Sequence, residues 1–188
     1  MLFVEIFIVF VMVLIVIMFI QKHYSEVEYF RSDADDRYYL VRKMPNMSEA
    51  ANYLADINDR LVKLIRHMIA KYPDNADAIQ LYKKYNPSAL SEGSVESGFT
   101  SYSINKGEKL ILCIRQKDQS FVDKNIVMYV AIHELAHIMT KDIGHTSAFW
   151  NNFKFLLNEA VSIGIYIKKD FKNKPEEYCG IQINNSII

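Results

Sequence analysis

His133, Glu134 and His137 stand in the run Ala131-Ile132-His133-Glu134-Leu135-Ala136-His137, an HExxH spacing. On a helix, side chains four apart lie on one face, so both imidazoles can reach a single ion while Glu134 sits beside it. Two neutral imidazoles and a neighbouring carboxylate suit a hydrolytic zinc centre, in which the ion polarises a water and the carboxylate takes its proton as it attacks a carbonyl. Peptide-bond hydrolysis is the chemistry these residue types point to. The bland alternative is chance: two histidines four apart can simply be partly buried polar residues of an amphipathic helix. Context argues against chance. Of the chain's five histidines, three fall within thirteen residues. The stretch Phe121 to Thr140 also reads as a helix, with Ile126, Val127, Val130, Ile132 and Leu135 around the histidine face.

A catalytic zinc takes three protein ligands and keeps one position open. Two residues downstream qualify. His145 follows His137 by eight residues, with Gly144 available to turn the chain back towards the ion. Glu159 follows by twenty-two, in Leu156-Leu157-Asn158-Glu159-Ala160 of the next apolar segment. Spacing leaves both open.

The words that follow His145 carry a resemblance. HELAH at 133–137 and then His145-Thr146-Ser147-Ala148-Phe149-Trp150 resemble the WLM metalloproteases, relatives of the SprT and Spartan proteases that digest proteins crosslinked to DNA. In those families a third histidine stands in a His-Gly-x-x-Phe-Trp-like phrase. Here glycine precedes the histidine and Thr146 follows it, so the likeness lies in spacing and aromatics. Thr100 to Arg115 similarly looks like the family's β-hairpin ahead of the zinc helix. The resemblance covers about residues 95 to 160. It implies that His133, His137 and His145 bind Zn2+ and that Glu134 acts as general base and then acid on a protein or peptide substrate. It is also similar to membrane-anchored proteins of large DNA viruses, which implies a viral or host membrane as a setting.

The hairpin is legible without the family. Asn105-Lys106-Gly107 is a turn signal, and Lys109 to Arg115 is a β-rich run with Leu110, Ile111, Leu112 and Ile114. Such a strand can hold an extended peptide by main-chain hydrogen bonds, or it can be scaffold only.

Met1 to Ile20 carries one charge, Glu5, in an otherwise apolar run long enough for a hydrocarbon core of about 30 Å. The expectation is a single-pass transmembrane anchor at 1–21, a juxtamembrane linker at 22–36 and a metallopeptidase domain at 37–188. A cleavable signal peptide is the competing reading, but it calls for a basic start, a shorter apolar run and small residues at a cleavage site. Lys22, Arg31 and Arg37 follow the helix and no Lys or Arg precedes it, which favours a cytosol-facing domain. Lysines plus arginines equal the acids at 22 each, so net charge does not support a nucleic-acid surface. Cys113 and Cys179 lack paired zinc-ligand spacing and leave a disulfide open.

Along the remainder, Tyr38 to Val41 reads as a short strand. Met47 to Tyr72 reads as a long amphipathic helix closed by Pro73, and Asp74 to Tyr85 as a second helix. Ser88 to Gly98 reads as a loop and Ser147 to Ile165 as a helix, with a short β run at Ile181-Gln182-Ile183. His67 lies off the apolar series and reads as a boundary residue. Tyr178 can be an oxyanion donor or a packed side chain. Together these segments imply an α+β fold: a transmembrane helix, then a zincin-like domain with a small antiparallel sheet packed on helices, the zinc site on the HExxH helix. A catalytically idle, zinc-stabilised binding or structural protein tethered to the membrane is the alternative in another class.

Overall fold

The computed structural model describes residues 2–24, 26–93 and 101–188, with side chains placed for residues 3–18 and from 26 onward within those ranges. In chain order the elements are α1 (Leu2–Tyr24), β1 (Val27–Arg31), β2 (Tyr38–Arg42), α2 (Met47–Lys71), α3 (Ala76–Lys84) and β3 (Leu90–Glu92). They continue with β4 (Ser101–Ile104), β5 (Lys109–Leu112), α4 (Lys124–Met139), α5 (Ser147–Ser162), β6 (Glu176–Tyr178) and β7 (Ile181–Ile183).

Five strands form one sheet in the order β1-β2-β3-β5-β4. The expected small antiparallel sheet is corrected to a mixed one. β1 pairs β2 and β4 pairs β5 in antiparallel fashion, but β3 runs parallel to both β2 and β5. The reason lies in the connection: α2 and α3 intervene between β2 and β3, and a helical crossover returns a strand parallel to its neighbour. The three residues of β3 lie inside the stretch read as a loop, while the end of that stretch lies outside the described residues. The segment 22–36, expected to be a linker, contributes β1, paired from Val27 with Arg42 to Arg31 with Tyr38.

The membrane anchor is also corrected, and with it a bilayer as partner. Among the described residues no helix is long and apolar enough to cross a membrane. α1 is helical from Leu2 to Tyr24 and carries Glu5 in its first turn.

α2 carries its apolar positions at three-to-four spacing and buries Leu54, Ile57, Leu61, Leu64 and Met68. α4 differs. It is apolar on nearly every side because it is the central helix, touching α2, α3, α5, β4 and β5. Asp123 caps it, accepting from the backbone N–H groups of Asn125 and Ile126. α5 is capped by Thr146 and lays Phe149, Phe153, Leu156 and Leu157 against α4.

The β4–β5 turn is wedged against two helices. Asn105, Lys106 and Gly107 all have positive φ (46°, 52° and 111°), and the Gly107 carbonyl accepts from Asn86 N at 3.2 Å. A Cβ on Gly107 would stand 2.6 Å from the Lys84 carbonyl oxygen and 3.1 Å from Ile138 Cγ2, so only glycine fits.

Behind β4, Cys113 and Cys179 form a disulfide that ties the β6–β7 hairpin to the sheet. The neighbouring Tyr178 is fully buried. Its hydroxyl donates to the Cys113 carbonyl at 2.9 Å and meets Ser101 Oγ at 2.6 Å, while Ser101 Oγ accepts from Cys113 N at 3.0 Å. A phenol has one proton to give. Tyr178 is therefore a packed, satisfied side chain and not a free oxyanion donor.

Candidate metal centre

His133 and His137 lie one helical turn apart on α4 and point to the same side. The loop after α4 reverses at Gly144, whose φ is 83°, and brings His145 to face them. The three Nε2 atoms form a near-equilateral triangle: 3.2 Å from His137 to His133, 3.1 Å from His137 to His145 and 3.1 Å from His145 to His133. Tetrahedral zinc at about 2.0–2.1 Å from each nitrogen separates its ligands by about 3.3–3.4 Å. The triangle is only slightly tighter, so the donor set fits such an ion. Burial and the neighbouring rings push His133 down to about 3 and His137 down to about 4. Both are therefore neutral at physiological pH, with lone pairs available to a cation.

The rings are held by the aromatics of α5. Phe149 touches all three, stacking on His137 at 4.3 Å and meeting His145 at 4.6 Å and His133 at 4.9 Å. Trp150 tilts against His145 at 5.3 Å, and Phe153 meets His133 edge-on at 5.1 Å. The Phe-Trp pair after His145 thus buttresses the cluster.

Glu134 is buried, and desolvation pushes its carboxyl up to about 7, partly offset by hydrogen bonds from the backbone and hydroxyl of Ser103 on β4. An open cleft of about 530 Å³ lies in front, lined by Ser101 to Ser103 of β4, Lys106, Asp142 to His145, and the residues of the HExxH motif. β4 is an edge strand of the sheet and forms one wall.

Glu159 is engaged elsewhere. Its carboxylate meets His67 Nε2 at 2.6 Å, accepts from Lys71 Nζ at 2.9 Å and accepts from the Tyr72 hydroxyl at 2.7 Å. Burial alone would raise it, but Tyr72, His67 and Lys71 outweigh that and hold it down at about 2. His67 is accordingly part of an α2–α5 tie. Among the described residues, the only group of three or more metal-capable side chains is His133, His137 and His145.

Sequence reasoning missed Ser103 and the role of Phe149 as a shared backing for three rings. Serine in a strand carries no motif. Phe149 was visible as an aromatic of the phrase after His145, which does not show that one ring backs all three histidines.

A mixed sheet covered by helices, with an HExxH helix and a third histidine converging beside an edge strand, is an arrangement that can hold a metal ion. Residues 34–187 match the WLM domain, and the chain belongs to that family, which is zinc-dependent and of metalloprotease type. It is 33% identical over 173 residues to Uncharacterized protein R325 of Acanthamoeba polyphaga mimivirus, covering 89% of this chain and 88% of that one. It is 35% identical over 97 residues to Uncharacterized protein 136R of Invertebrate iridescent virus 6, covering 50% and 53% respectively. Among solved structures, Wss1 from Saccharomyces cerevisiae superposes with a TM-score of 0.48 at 19% identity, over 65% of this chain and 86% of that one.

Proposed function

We propose that this chain is a zinc metallopeptidase in which His133, His137 and His145 hold the ion and Glu134 is the general base and then the general acid. The supporting observation is the triangle of facing Nε2 atoms beside a buried carboxylate at the floor of an open cleft. When bound, zinc supplies Lewis acidity, lowering the pKa of a water from about 15.7 to roughly 7 and polarising a carbonyl.

The chain's own residues do the rest. Glu134, raised to about 7, is poised near neutrality to accept a proton from the attacking water and return it to the departing amine. Ser103 fixes the direction of that carboxylate. Phe149, Trp150 and Phe153 keep the imidazoles aimed inward and shield their outer faces from water. The substrate is an extended stretch of polypeptide laid along β4, held by main-chain hydrogen bonds as in other strand-addition sites.

The test is Glu134→Gln protein assayed for zinc content and for cleavage of a denatured protein. Zinc should stay at one per chain while turnover falls by roughly 10²–10⁴. Undiminished cleavage would remove Glu134 from the mechanism, and an inactive but zinc-loaded parent protein would support the idle binding class. His145→Ala should lose stoichiometric zinc.

A further inference from the structure

We propose that Lys106 is a positioning residue for the metal centre: carried on the β4–β5 turn, its ammonium fixes the loop that delivers His145. The inference rests on the three-histidine reading above. Lys106 Nζ donates to the carbonyls of Thr140 at 2.9 Å and Asp142 at 2.9 Å, and to that of Lys141 between them. An ammonium has three N–H donors, and here all three are spent on three successive carbonyls. Thr140 is the C-cap of α4, so these oxygens sit at a helix end, where carbonyls lack helical partners and carry partial negative charge.

The loop needs such a hold. Lys141, Asp142, Ile143, Gly144 and His145 are all exposed, and a Cβ built on Gly144 would find nothing within 4 Å. The loop's own contact from Thr146 Oγ1 to Asp142 Oδ2 is long, at 3.5 Å. The anchor, by contrast, is rigid, because Gly107 beside Lys106 is pressed against the Lys84 carbonyl and Ile138. A fixed turn thus sets the path of the chain between the second and third histidines. The same turn ends the strand that walls the cleft.

Charge alone predicts the opposite effect on metal binding. Lys106 lines the same cleft as the three histidines, so deleting its ammonium should, by electrostatics, help a cation bind there. Weaker binding after the deletion has the sign that only positioning produces.

The experiment compares zinc-loaded wild-type protein with Lys106→Met and Lys106→Gln, following zinc release to a competing chelator, the visible absorption of the cobalt-substituted forms, and the melting midpoint of the zinc-free forms. Lys106→Met should release zinc about tenfold faster, in the range seen when the outer supports of metal ligands are removed. Its cobalt spectrum should change while the zinc-free midpoint moves little. Lys106→Gln keeps two N–H donors on a shorter, uncharged side chain and should fall between the two, and it carries the comparison if Lys106→Met does not fold. Release as slow as wild type, tighter binding, or a loss matched by an equal loss of zinc-free stability would overturn the proposal. If wild type itself takes up no zinc, the three-histidine reading fails and this inference falls with it; if wild type loads normally and the variants match it, only the role of Lys106 falls.

Discussion

Glu159→Gln isolates the tie between α5 and α2 and can be worked through in numbers. The substitution keeps the side chain's shape and removes the charge that His67, Lys71 and Tyr72 surround. The carboxyl is held at about 2 against an ordinary 4.5, and at about 1.36 kcal/mol per unit the ionised form gains at most about 3.4 kcal/mol. Lys71 is 47% exposed on its side chain. Solvent therefore screens much of that gain, and about 1–2 kcal/mol is the expected net loss in the variant at pH 7. The sign follows from linkage. A carboxyl depressed by folding adds stability that is full above its unfolded pKa and is lost as pH falls through its folded one, so the gap between wild type and variant should shrink to less than roughly half by pH 3. Urea unfolding of both proteins at pH 7 and pH 3 measures it, with zinc content determined on the same samples. Equal midpoints at pH 7, or a gap unchanged at pH 3, would refute the electrostatic account. Loss of zinc from the variant would instead return Glu159 to the list of ligands.

Two further outcomes concern the supports of the cleft. Gly107→Ala forces a Cβ to within 2.6 Å of the Lys84 carbonyl at a φ of 111°, and should cost about 2 kcal/mol or more, read as a lower melting midpoint. Replacing Cys113 and Cys179 by alanine opens a loop with a sequence separation of 66. The chain-entropy relation assigns such a loop about 4 kcal/mol, checked by thermal unfolding of the variant against the oxidised parent.

The candidate site was legible in the sequence because it is local. HExxH nominates two histidines and a carboxylate through helical periodicity alone, and the phrase around His145 nominates a third histidine through resemblance, and the fold brings these three histidines together. α2, α3, α4 and α5 were readable for the same reason, since each has caps or apolar spacing that acts within a few residues. The parts that escaped depend on distant partners. β3 is three residues long and exists because β2 and β5 flank it, so no periodicity announces it. The position of Glu159, apart from the three histidines, depends on His67, Lys71 and Tyr72, which stand 87 to 92 positions away from it in the chain. The disulfide likewise joins residues whose proximity only the folded sheet creates.

Trp150 is the chain's single tryptophan, and it rests 5.3 Å from the ring of His145. Emission excited at the red edge, beyond the absorption of the twelve tyrosines, therefore originates from one spot beside His145, and its changes report on that neighbourhood without any label. Metal titrations, ligand-loop motions and peptide docking can all be followed in the unmodified polypeptide by exciting this one indole.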